Sequence, residues 1–178
     1  PEAIYDEITD DYLVYWSSRN GFDNCEKQRI YKAHTKDFVI FTAPEIYMER
    51  DFSVIDTSIL VANGKYYRLT KNHDEASIYL EVSDNPVGEF KEIETFSMKG
   101  VTGYEGPTGY IMNDGKTYCI LMDAFASDEG YKPFLTEDLD SGIVTPQEGF
   151  NTPDPFRHGT VMPITEEEYT RLIEKYGK

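Results

Sequence analysis

The sequence runs to 178 residues with 39% hydrophobic and 28% charged side chains and a net charge of −16, enough chain to bury a core within one domain. That charge argues against nucleic acid or an anionic membrane as partner, since both recruit a basic face, and suits a neutral or cationic ligand better. No apolar stretch approaches the roughly 18 residues of a membrane-spanning helix.

Aromatic residues make up 14% of the chain, with 14 Tyr and 10 Phe, a load that suits strands more than helices. Pro1 stands where an initiating Met would, so the chain reads as a processed product or a piece of something longer, and a targeting segment could have been lost. Of two cysteines, Cys25 falls in the polar stretch NGFDNCEKQR and Cys119 in the strand-like KTYCILMD. A disulfide is open to them, but the plainer reading is two free thiols, and no Cys/His cluster has the spacing of a structural zinc.

In chain order, EAIYDEITDDYLVYW from Glu2 reads as two short strands around the turn ITDD. QRIYKAHTKDFVIF adds a third strand and a polar turn, with His34 beside that turn as a surface residue, and PEIYM a fourth. The pattern then restarts: DTSILVANGKYYRLT from Asp56 is followed by ASIYLEVSDNPVGEF and FKEIE, with His73 in a turn. It restarts again with EGPTGYIMNDGKTYCILM from Glu105, where Asp123 reads as an exposed strand end, and GYKPFLTEDLDSGIV. The Asn-Gly and Asp-Gly pairs at the second and third restarts suit tight hairpins. Near the end, FRHGTVMPI reads as one more inner strand. In TEEEYTRLIEKYG, Thr165 and Glu168 form a capping-box pattern, and Tyr169, Leu172, Ile173 and Tyr176 fall at helical spacing.

Four strands repeated about every fifty residues is the signature of β-propeller blades. A β-sandwich would also show short strands, but not an acidic residue and a turn returning at one phase. The expectation is an all-β chain of four-stranded antiparallel blades, about three blades plus one strand, with a short C-terminal helix. The blades fall near residues 1–52, 53–100 and 101–150, and the closing strand and helix at 151–178.

The first strand of a blade lines the central axis, so Glu2, Asp56 and Glu105 are expected to converge on one cavity. Glycosidic hydrolysis uses such a set: one carboxylic acid protonates the leaving oxygen and one carboxylate activates water. The acid needs a raised pKa, which a neighbouring carboxylate can supply. Inner-strand acids can equally cap backbone amides or join neighbouring blades.

The phrases PEAIYD, VIDTSIL…GKYYRLTK, YEGPTGY and RHGTVMPIT resemble the motifs of glycoside hydrolase family 43, enzymes of arabinan and arabinoxylan breakdown. The likeness runs in order over essentially the whole chain, matching blades two to four and the start of five. It implies a five-bladed propeller and an inverting mechanism on terminal α-L-arabinofuranosyl or β-D-xylosyl units. Glu105 takes the place of the general acid, and Asp56 that of the aspartate that tunes and orients it. The family's general base lies on a first blade with no counterpart here, so the resemblance predicts an incomplete, inactive site in this chain by itself. Glu2 belongs to a position that shapes the substrate pocket. His158 resembles the axial histidine that touches a calcium ion or its waters, with a buried histidine bonded to a carbonyl as the alternative. Arg157 either meets sugar hydroxyls or pairs with one of the many acids. Tyr104, Tyr110 and Phe125 are candidates for stacking on a sugar, or for packing between blades.

The expected partners are a neutral oligosaccharide and either a second copy or a complementary chain that covers the open blade faces. A polymeric substrate implies work in the periplasm or outside the cell, with the cytoplasm as alternative. A competing reading is a non-catalytic carbohydrate-binding or assembly module built from part of a propeller.

Overall fold

The computed structural model describes residues 1–150 and 156–177. The first sheet comprises β1 (Glu2–Asp6), β2 (Asp11–Ser18), β3 (Arg29–Thr35) and β4 (Glu45–Met48). The second comprises β5 (Val54–Ala62), β6 (Lys65–Asn72), β7 (Ser77–Ser83) and β8 (Lys91–Glu92), and the third β9 (Glu105–Ile111), β10 (Tyr118–Asp123), β11 (Tyr131–Thr136) and β12 (Thr145–Pro146). Each sheet is an antiparallel meander with its strands in sequence order. The architecture is an all-β propeller of four-stranded blades with, among the described residues, a single α-helix, α1 (Glu166–Tyr176). That helix is too short to cross a membrane.

Local chemistry explains the hairpins. Asn63 and Gly64 both take positive φ, at 54° and 71°, so the pair Ala62–Lys65 closes over a two-residue turn of the kind strand twist favours. Asp114-Gly115 behaves differently. Only Gly115 has positive φ, and the Asp114 carboxylate accepts from the backbone N–H of Lys116 and Thr117, giving a wider loop.

Alternation along each inner strand sends one set of side chains to each neighbouring blade. Leu13, Tyr15 and Ile30 of the first sheet meet Val54, Ile59 and Tyr66 of the second. Leu60, Leu69 and Leu80 of the second meet Ile120, Met122 and Phe134 of the third. Each such side chain contributes about 1.5–3 kcal/mol when fully buried. Gly109 permits the closest approach of β9 to β5, since a Cβ there would stand 3.2 Å from the Leu60 side chain. This packing sets the inner strands side by side at the axis.

The C-terminal part departs from expectation in one respect. Residues 156–164 form no strand. A first strand pairs only with the second strand of its own blade, and no such partner is among the described residues. Instead the segment hangs on Tyr131, whose backbone N–H donates to the Phe156 carbonyl at 3.1 Å and whose hydroxyl accepts from the Gly159 N–H at 2.7 Å. Residues 151–155 and 178 of the expected closing segment lie outside the described residues. The helix forms as read: Thr165 Oγ1 accepts from the Glu168 N–H and Glu168 Oε2 accepts from the Thr165 N–H. Tyr169, Leu172, Ile173 and Tyr176 are all exposed, so the apolar face of the helix is uncovered by the described residues.

Candidate active site

Two irregularities in the ladders build the site. The β5–β6 register slips between Ile55 and Ser58, and the β9–β10 register slips between Leu121 and Asp123, opposite the start of β9. Bulges of this kind re-aim side chains. At the first, Asp56 adopts φ 50°, a left-handed conformation that costs a non-glycine residue on the order of 1 kcal/mol. Its carboxylate Oδ2 accepts from the Gly106 N–H at 3.2 Å. Gly106 itself has φ 51°, and a Cβ on it would come within 2.9 Å of His158 Nδ1. The glycine therefore lets His158 approach, and Asp56, Glu105 and His158 each place one polar atom within 4.8 Å of the others. They adjoin a cleft of about 830 Å³ whose wall includes Glu2, Asp56, Gly106, Tyr131 and His158.

Basic side chains crowd Glu105. Lys71 Nζ donates to its Oε2 at 2.6 Å, His158 Nε2 lies 3.1 Å from its Oε1, and Arg157 reaches that oxygen at 3.5 Å. Lys71 is almost fully buried and lies over the Phe125 ring, 4.4 Å from its centroid. Burial pushes the Glu105 carboxyl up, but the bonds from Lys71 and His158 outweigh it and leave the carboxyl below the usual glutamate range. This corrects the expectation of a raised acid. The charges nearest Glu105 are positive as well as negative, and the positive ones win.

The remaining candidates separate. Glu2 lines the cleft, but its oxygens are taken by the Tyr15 hydroxyl at 2.6 Å and the Ser58 hydroxyl at 3.1 Å, and Tyr15 in turn accepts from the Ile59 N–H. Glu2 is thus a joint between the first two blades, and burial raises its carboxyl despite those bonds. Arg157 is an ion-pairing residue here: its Nε donates to Asp123 Oδ2 at 2.8 Å, and it lies 3.5 Å from Asp128. Asp123, read as an exposed strand end, is completely buried, with Oδ1 unpartnered among the described residues. Both faces of β10 are covered and all six of its residues are buried, so its last residue does not reach solvent. Tyr104 sits edge-on to Phe134, and Tyr110 packs with Cys119, so both serve packing. Cys25 and Cys119 are free thiols.

Lys71 escaped the sequence reading. Its one signal is phase: it follows Tyr67 and Leu69 at two-residue spacing on a strand whose residues are nearly all buried, a place where a lysine needs a partner. His34 also differs from its expected surface position. It lies half-buried in β3, with Nδ1 2.8 Å from Asp11 Oδ1. His73 is exposed in its turn, as read.

The expected calcium fits this site poorly. Calcium takes six to eight oxygen ligands, whereas the cluster offers one imidazole and two carboxylates, one of them already held by the buried Lys71.

Residues 1–170 match the family described as a probable glycosyl hydrolase domain, related to glycoside hydrolase family 43. The chain belongs to that family. An α-L-arabinofuranosidase of Bifidobacterium longum subsp. longum is 27% identical over a stretch covering 76% of this chain and 16% of the relative. The chain therefore spans about a sixth of that relative's length. Among solved structures, a thermostable family-43 glycoside hydrolase superposes with a TM-score of 0.57 at 16% identity, over 86% of this chain and 59% of its own. The catalytic domain of a family-62 α-L-arabinofuranosidase from Coprinopsis cinerea gives 0.61 at 15% identity, over 83% and 50%. An exo-β-1,3-galactanase from Clostridium thermocellum gives 0.61 at 16%, over 81% and 34%. At these identities the structural likeness speaks for the fold.

Proposed function

We propose that the chain carries the acid half of an inverting glycosidase site, acting on terminal α-L-arabinofuranosyl or β-D-xylosyl units of plant polysaccharide. The observation that carries this is the convergence, within 4.8 Å, of Asp56 and Glu105 from the starts of adjacent inner strands with His158 from the strandless segment 156–164. Glu105 is the general acid. Asp56, held by Gly106, orients it and raises its proton affinity. His158 positions Glu105, and Glu2 and Arg157 shape the pocket from behind their own partners. The general base comes from a segment outside these residues, across the ring, at roughly 6.5–9.5 Å from the acid so that water fits between. That segment also covers the aromatic outer face of the first sheet, where Tyr5 and Tyr12 are exposed and Trp16 stacks on Tyr31. A second copy of the chain is the alternative cover. Closing the ring would remove water and add a carboxylate, both of which push Glu105 up towards the protonated form an acid needs.

The likeness to the Bifidobacterium α-L-arabinofuranosidase favours arabinofuranose, and a polymeric substrate favours work outside the cytoplasm. Calcium has no part in this reading, because the donor set at the axis does not fit it. In this reading the chain by itself binds sugar without turning it over, because no general base faces Glu105 among the described residues, and the bonds from Lys71 and His158 hold the Glu105 carboxyl below the usual glutamate range. That same observation favours the second reading, a carbohydrate-binding module.

The test compares this chain alone with the chain completed by a base-bearing segment, on aryl α-L-arabinofuranoside and aryl β-D-xyloside. Hydrolysis by the completed protein that falls at least a thousandfold in Glu105→Gln supports the proposal. No hydrolysis of either glycoside by the completed protein refutes it and leaves the binding module.

A further inference from the structure

A second cluster lies at the other end of the first blade's inner strand. Asp6, Asp11 and His34 each place one ligating atom within 4.8 Å of the others. They come from three successive strands, β1, β2 and β3, with Asp6 directly opposite Asp11 and His34 one strand further out in the same sheet. The repeat makes Asp6 unusual: four residues beyond Glu2, Asp56 and Glu105 lie Asp6, Leu60 and Gly109. The second and third blades put an apolar residue or none at that phase, whereas the first puts a carboxylate.

That carboxylate is completely buried. Its Oδ1 accepts from the Ile8 N–H at 2.9 Å, and its Oδ2 has no partner among the described residues. A buried, half-satisfied carboxylate is costly unless something positive meets it. Among the described residues no lysine or arginine forms an ion pair with Asp6 or Asp11; Lys36, two residues beyond His34, stands 3.9 Å from Asp10 instead. His34 is the one cationic candidate, and it is bonded to Asp11 rather than to Asp6.

We infer that Asp6, Asp11 and His34 form a binding site for a divalent metal ion of the zinc type. Two carboxylates and an imidazole match the mixed oxygen and nitrogen set that zinc and its first-row neighbours prefer, and they are too few and too nitrogenous for calcium. Three protein ligands leave the fourth tetrahedral position to water. Asp11 and His34 are each partly exposed, with 16% and 17% of their side chains accessible, so an ion can enter from solvent while Asp6 closes the site from within. Ligands about 2.05 Å from zinc in a tetrahedron stand about 3.3 Å apart. The 2.8 Å separation of His34 Nδ1 and Asp11 Oδ1 therefore has to open by about half an ångström, within reach of a rotamer adjustment of His34. The bound ion pins the β1–β2 hairpin to β3 at the end of the blade remote from the cleft. This site shares no residue with the Asp56–Glu105–His158 cluster, and its existence is independent of the proposed glycosidase activity.

The test is equilibrium dialysis of the purified chain against zinc, with metal content by mass spectrometry and thermal melting in parallel. One zinc per chain at micromolar free zinc is expected, with a rise of several degrees in the melting midpoint. Asp11→Asn and His34→Ala should each weaken binding at least tenfold, while the double variant Glu105→Gln with His158→Ala keeps it. Cobalt should replace zinc and show the absorption bands of a four-coordinate site. Should His34→Ala fail to fold, Asp11→Asn, which preserves shape, carries the comparison. No retained zinc, zinc binding indifferent to both Asp11→Asn and His34→Ala, or calcium held as tightly as zinc would overturn the inference.

Discussion

Replacing Lys71 by methionine isolates the electrostatic control of Glu105. Methionine keeps an apolar stem against Phe125 but removes the ammonium that stands 2.6 Å from the Glu105 carboxylate. Removing one partner of a fully buried ion pair costs about 3–5 kcal/mol. Here the cost is smaller, because Glu105 keeps 19% side-chain exposure and retains His158 and Arg157. We expect about 1–3 kcal/mol at pH 7, or a fall of about 3–10 °C in melting midpoint for a chain of this size. The pH dependence gives the sharper signature. In the parent chain the folded Glu105 lies below its unfolded value, so it adds stability above about pH 4.3 that is lost as pH falls through the folded value. Without Lys71, burial becomes the dominant influence and the folded carboxyl rises above its unfolded value, reversing that contribution. The deficit of Lys71→Met should then be largest at pH 7 and shrink below pH 4. Denaturant titrations at the two pH values, with a carboxyl carbon NMR titration of Glu105, measure both effects. An equal deficit at both pH values, or an unmoved Glu105 titration, refutes this account of the site.

Tyr15→Phe should cost about 1–3 kcal/mol in urea unfolding, since it strands the buried Ile59 N–H and takes a bond from Glu2; a loss under 0.5 kcal/mol would show that the seam is held elsewhere. Gly106→Ala, at φ 51° and with only 2.9 Å between its Cβ and His158, should destabilise by about 1–2 kcal/mol and displace the His158 ring. The His158 imidazole resonances report the second effect, and unchanged shifts would mean that the glycine is dispensable. Millimolar calcium should move the melting midpoint by less than 1 °C, as the donor set around Glu105 predicts. A shift of several degrees would place a calcium site at the axis after all. In sedimentation, the exposed aromatic face of the first sheet should drive self-association at high micromolar concentration, and a monodisperse monomer there would count against it.

The architecture was legible because it rests on local, repeated signals. Alternation, turn residues and a period of about fifty residues recur three times, and each strand pairs with its sequence neighbour, so no long-range information is needed to predict a meander. The capping box at Thr165 is readable for the same reason: its two bonds span three residues. Asp56 and Glu105 were readable as site candidates because they open successive units at one phase.

What the sequence could not supply is the sign of the field at the site. Lys71 and Glu105 are 34 residues apart and His158 and Glu105 53, and only the packing of β6, β9 and the strandless segment 156–164 brings their charges into contact. Electrostatic interactions depend on distance and burial, and neither is written in the order of residues. The same holds for Asp123, whose burial follows from the blade around it, and for Asp6, whose unpaired oxygen becomes visible only once the strands stand beside one another. The chain's order specified the blades; their packing decided which carboxylates are neutralised and which are left to bind something.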